Sequence, residues 1–172
     1  MGTSIREAMI LQLDEELPRT RRTLERVPGD RWEWRPHERS MPMGRLAAHV
    51  ATLPAMVATV LTTEAFDLSD RAGRTAVPTV GEAAALVPTC ERLYGEARRA
   101  LEAARDEDLA ATWSLSAAGR PVAPPAPRHA YLTTLFFHHL VHHRAQLGVY
   151  LRLLDIPVPA IYGPSADEPL MP

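Results

Sequence analysis

The stretch Phe137-His138-His139-Leu140-Val141-His142-His143-Arg144-Ala145-Gln146-Leu147 places four of the seven histidines in six consecutive positions. It lies inside an apolar-periodic segment, about 128–154, that predicts the last major helix. The run is internal, so an expression tag does not explain it. Two i, i+4 pairs exist, His138/His142 and His139/His143, and each would stack two imidazoles on one helical face. At about 100° per residue with His139 at zero, His143 falls at about +40°, inside an apolar arc of Leu132, Phe136, Leu147, Tyr150 and Leu154. His142 falls at about −60°, on the edge, and His138 at about −100°, mostly outside. Only His139/His143 faces a core. A buried polar group without a partner costs roughly 1–3 kcal/mol. Two such rings need something between them: a metal ion, or polar groups or water from facing helices.

A second histidine-bearing helix is predicted over about 40–64, with Ser40 as N-cap and Pro42 in the first turn. With His49 at zero, Val60, Leu53, Leu46 and Val57 fall between about +20° and +80°, so His49 is on the buried stripe. Alone, it reads as a satisfied core histidine. With His139 and His143 it supplies a third ligand. Three neutral nitrogens plus an open position is the usual arrangement of a catalytic zinc site. Nickel, iron or manganese suit the same donors. The His-Glu-x-x-His pattern is absent, since Leu140 follows His139, and so are the Gly-x-Ser-x-Gly elbow and phosphate-binding glycine loops.

The rest of the chain completes an all-α reading. A first helix over about 3–27 is capped by Ser4 or Thr3 and kinked or divided at Pro18. A third helix over about 79–108 starts at Thr79 with Glu82 at capping-box spacing, and Pro88 kinks it. Trp32 and Trp34 lie in a loop and pack across one end, while His37 is solvated. The segment over about 112–127 is a short hairpin or an extended crossover. Such a long connection predicts a four-helix bundle with crossover topology, in one domain spanning residues 1–172. The tail beyond Leu154 packs back along the helices.

Composition excludes several classes. A net charge of −2 and no basic cluster argue against nucleic acid. All 19 basic side chains are arginine, which excludes lysine Schiff-base chemistry. No run reaches the length of a membrane span, and the single cysteine, Cys90, reads as a packed or partly exposed thiol. A cytoplasmic protein without membrane association is expected.

The stretch His139-x-x-His142-His143-Arg144-Ala145-Gln146, with Tyr150-Leu151-Arg152 and the tail Ile161-Tyr162-Gly163-Pro164-Ser165-Ala166-Asp167-Glu168, resembles the DinB-like (YfiT-like) four-helix bundle proteins. Upstream, Trp34-Arg35-Pro36-His37 and Ser40-Met41-Pro42-Met43-Gly44-Arg45-Leu46-Ala47-Ala48-His49 match as well. The resemblance covers nearly the whole chain. It implies a bundle, commonly a homodimer, whose divalent metal is held by the positions of His49, His139 and His143. It also implies a metal-dependent enzyme of the thiol S-transferase type, acting with a low-molecular-weight thiol such as mycothiol or bacillithiol, or a metal-dependent hydrolase. The alternative is a non-catalytic dimeric stress-response or binding protein with a structural or vestigial metal site. Arg144 is expected to pair with Asp167 or Glu168 of the tail.

Overall fold

Ser4 begins the first helix in the computed structural model, which describes residues 2–70 and 78–169. Its hydroxyl accepts from the Glu7 amide at 3.2 Å, and the Glu7 carboxylate accepts from the Ser4 amide at 2.9 Å. This reciprocal cap satisfies two amides that the first turn would leave unpaired. Helix α1 then runs Ile5–Leu24, and Pro18 does not divide it. Leu13, Thr20 and Leu24 are buried on one stripe.

The second predicted helix is two helices. α2 (Met43–Thr52) and α3 (Ala55–Thr62) meet at Leu53-Pro54 with a 45° bend. Pro54 cannot donate a backbone bond, and its ring crowds the preceding turn. Ser40 is not the N-cap, contrary to expectation. Pro42 stands there, and the loop backbone caps the helix instead. The amides of Met43 and Gly44 donate to the carbonyls of Trp34 (2.7 Å) and Trp32 (2.8 Å). The two tryptophans are half-buried. Trp34 meets Tyr150 edge-on at 5.7 Å. The Trp32 ring lies so close to Gly44 that a Cβ there would be 2.1 Å from it.

The third predicted helix is shorter than expected. A 3₁₀ turn at Ala83–Ala85 leads into α4 (Leu86–Ala103), and a separate short α5 (Asp106–Ala110) follows. Glu82 is extended, so the Thr79–Glu82 capping box does not form. Pro88 falls in the first turn of α4, where its missing amide would have had no partner anyway, so it starts the helix instead of kinking it.

A small four-stranded sheet corrects the all-α expectation. β1 (Ala65–Asp67) pairs in parallel with β2 (Thr112–Ala117), with Ala65 opposite Ser114. β3 (Arg120–Pro121) folds back on β2, and β4 (Ala126–Pro127) pairs with its other end. The turn residues Ala118 and Gly119 both have positive φ, 51° and 73°, the signature of a two-residue hairpin turn. Asp67 accepts from the Gly119 amide, the Ser69 amide and the Ser116 hydroxyl, which holds its carboxyl below the usual carboxylate range.

The last helical run spans α6 (Arg128–Tyr131), a π-helical stretch (Leu132–His138) and α7 (His139–Leu153). The Arg128 guanidinium anchors its start by donating to the carbonyls of Val60, Thr63 and Asp108 at 2.9–3.2 Å. α4 packs against α1, α2 and α3, while α7 packs against α2 and α1. Leu46, Val50, Leu86, Phe136, Leu140 and Leu147 fill the space between them. The tail doubles back as expected: Glu168 pairs with Arg22 and Arg26, and Asp167 with Arg152. Among the described residues, no single helix is long and apolar enough to cross a membrane.

Candidate metal centre

α2 and α7 pack side by side, and their facing surfaces bring His49, His139 and His143 together. One ring nitrogen from each lies within 4.8 Å of the others. His139 Nε2 is 3.3 Å from His49 Nε2 and 2.7 Å from His143 Nε2. All three rings are half-buried. His138 is exposed, as expected, and so is His142, which was expected at the edge of the apolar arc; the His142 ring leans on His143 at 4.8 Å between centroids. His37 is exposed too, accepting from the Arg39 amide. Among the described residues, only this trio of metal-ligating side chains clusters.

The outer nitrogen of His143 is already committed. His143 Nδ1 lies 2.7 Å from Gln146 Oε1, and an amide oxygen only accepts, so the ring donates there. The Leu135 carbonyl favours the protonated form of His139. A neutral imidazole carries one proton, so His143 Nε2 turns a lone pair toward His139. Histidine ligands of metals hold their other N–H in the same way, on a carbonyl or carboxylate. That lone pair, 2.7 Å from His139 Nε2 and close to the ring of His49, is placed to bind a cation.

Burial, more than anything else, pushes all three imidazoles below their ordinary 6.5. His49 falls to about 4, with further lowering from His143, His139 and Arg45. A tetrahedral ion with bonds of about 2.0–2.1 Å sets its nitrogen ligands about 3.3–3.4 Å apart. The His49–His139 spacing of 3.3 Å already matches. The His139–His143 pair at 2.7 Å must open by about 0.6 Å to admit an ion. The donor set therefore fits a divalent metal.

His49 also lines a cleft of about 580 Å³ bounded by Trp32, Glu33, Met41, Arg45 and Val80. Cys90 is fully buried in α4, and burial pushes its thiol up to about 12, so it offers no thiolate. The half-buried His129 contacts the Leu109 carbonyl at 3.1 Å and stands apart from the cluster.

The sequence reading missed the partners of Arg144. It does not reach Asp167 or Glu168. Its guanidinium is 3% exposed and 2.6 Å from Glu16 Oε2 of α1. It also donates to Thr20 Oγ1 at 3.0 Å and Tyr162 Oη at 2.6 Å, and Tyr162 donates in turn to Glu16. The signal lay in α1: Glu16 sits between Leu13 and Thr20 on the buried stripe, where a lone carboxylate requires a cation.

Three solved structures share this fold. A DinB-like protein of Bacillus subtilis aligns with a TM-score of 0.68 at 18% identity, covering 95% of this chain and 99% of the other. A DinB-like protein of Bacillus cereus ATCC 10987 aligns at 0.68 and 21% identity, covering 94% and 100%. A putative DinB family member of Exiguobacterium sibiricum 255-15 aligns at 0.66 and 21%, covering 90% and 95%. No curated protein matches the chain. The DinB family pattern matches residues 1–170, and with that span, nearly the entire length, this chain belongs to the DinB family.

Proposed function

We propose that His49, His139 and His143 hold a divalent metal, zinc or nickel first, and that the protein is a metal-dependent enzyme of the thiol S-transferase type. One observation carries the metal: a ring nitrogen from each of the three histidines converges within 4.8 Å, and Gln146 leaves His143 Nε2 free to accept by holding its Nδ1–H. A metal with three nitrogen ligands supplies an open position that lowers the pKa of a thiol or water. Gln146 fixes the orientation of the His143 ring. The cleft beside His49 gives a substrate access, and Trp32 and Met41 exclude water from part of its wall. The helical legs α1, α2–α3, α4 and α6–α7, with the long passage through the sheet before the last, support a four-helix bundle with a crossover.

The test is elemental analysis of untagged protein beside His139→Ala and His138→Ala. About one metal per chain, lost only in His139→Ala, is expected. Metal absent from all three after reconstitution would overturn the reading. Metal-dependent loss of a low-molecular-weight thiol with an electrophile, abolished in His143→Ala with the fold intact, separates the enzyme from a binding protein. A second reading, a non-catalytic homodimer, is favoured by the exposed Val149, Leu153 and Tyr162 along α7 and the tail. Sedimentation of Val149→Asp beside the parent checks it: a dimer unaffected by that charge would count against this face.

A further inference from the structure

We infer that the cleft beside the histidines selects a small thiol carrying one carboxylate, with the carboxylate on Arg45 and the sulfur end at the histidine cluster. The inference rests on the metal reading above and adds the substrate class. Arg45 stands four residues before His49 on α2, so both side chains share one face. Both line the same cleft of about 580 Å³. Arg45 is exposed and has no hydrogen-bond or ion-pair partner among the described residues.

An unpaired guanidinium at the wall of a cleft suits a carboxylate, whose two oxygens match its planar fork. Glu33 lines the cleft as well and makes no ion pair with Arg45. Its negative charge repels a second anionic group, so a monocarboxylate is favoured over a dianionic phosphate. Met41, Ala48 and Val80 make the lining apolar enough for a short hydrocarbon stem. Four residues, about 6 Å of helix axis, separate Arg45 from His49. A stem of two or three carbons between sulfur and carboxylate spans that gap. Arg45 is thus a specificity residue for binding and takes no part in bond making.

The experiment is isothermal titration of the zinc-loaded full-length protein with 3-mercaptopropionate and with its neutral analogue 3-mercapto-1-propanol. The carboxylate is expected to bind about tenfold tighter or better, the effect of one charge-assisted contact. Arg45→Gln should remove that preference while leaving the Kd of the alcohol unchanged, and Arg45→Lys should restore part of it. Equal affinities in the parent protein, or a preference that survives Arg45→Gln, would overturn the inference and leave the metal reading intact. Should the protein take up no metal, the same comparison on metal-free protein decides. An Arg45-dependent preference there supports the anion subsite although the metal reading has failed, and its absence overturns both.

Discussion

His143 donates its Nδ1–H to Gln146 Oε1 at 2.7 Å, one turn along the same helix. The amide therefore sets which nitrogen of His143 faces His139 and His49. Gln146→Leu removes the acceptor and frees the ring to rotate or change tautomer. Metal affinity should fall about 10–100-fold, the usual effect of losing such a partner, with little change in the melting temperature of the metal-free protein. Competition against a chromophoric chelator measures it. An unchanged affinity would show that the His143 ring is held in place without the amide.

Acid should act on the same cluster twice. The three rings are held below their ordinary 6.5, His49 at about 4. Between about pH 4 and 6.5 the unfolded chain binds more protons than the folded one, so stability is full above that window and declines as pH falls through it. Protons also compete with metal for the Nε2 lone pairs. Metal should be retained at pH 6 and released as pH approaches 4. Melting curves and metal content across this range give both readings, and a melting temperature flat from pH 7 to 4 would contradict the first.

Arg144 and Glu16 form a buried ion pair, 3% and 6% exposed. Removing one partner strands the other charge, at a cost of about 3–5 kcal/mol. Arg144→Ala should be strongly destabilised. The double variant Arg144→Met/Glu16→Leu should recover most of that loss, since neither charge is left behind. Denaturant titration of the parent, Arg144→Met, Glu16→Leu and the double variant tests the coupling, and additive losses would refute it.

Gly44 is required by the Trp32 ring. A methyl group at that position would lie 2.1 Å from two ring carbons, so Gly44→Ala must move the indole or the helix start. A loss of about 1–3 kcal/mol is expected from such overpacking. The emission of Trp32 should shift with it. Wild-type stability and spectrum together would mean that the loop yields freely.

Cys90 should be inert in the native protein. It is fully buried, with its thiol pushed up to about 12, and the thiolate is the reacting form. Ellman's reagent should label it only after unfolding; rapid labelling of the native state would contradict this.

The histidine trio was legible because helical geometry alone aims side chains, and two amphipathic helices each declared a buried stripe. Pro54 was visible as a bend, but whether it would divide the helix depended on what α3 packs against. Ser40 looked like a cap because its type is right; the loop carbonyls of Trp32 and Trp34 took the role through backbone geometry that no residue type reveals. The sheet was half visible: a hairpin around Gly119 could be anticipated, whereas β1 has only three residues, too few for a period. Arg144 was given carboxylate partners in the tail, while its real carboxylate, Glu16, comes from α1, over a hundred residues away, and the tail contributes the Tyr162 hydroxyl instead. The π-helical stretch leaves no mark in composition.

That stretch has a consequence for how the chain tolerates change in length. Arg128 pins one end of the last helical run to α3, and the histidines sit beyond the wide turns of Leu132–His138. A π turn holds an extra residue compared with an α turn, so it works as a phase adjuster between anchor and imidazoles. Without the wide turn to absorb that extra residue, His139 and His143 would lie about 100° further around the axis, away from His49, with hydrophobicity and every ligand residue preserved. In this fold the aim of the metal-ligating rings is therefore encoded by a residue count as much as by residue identity.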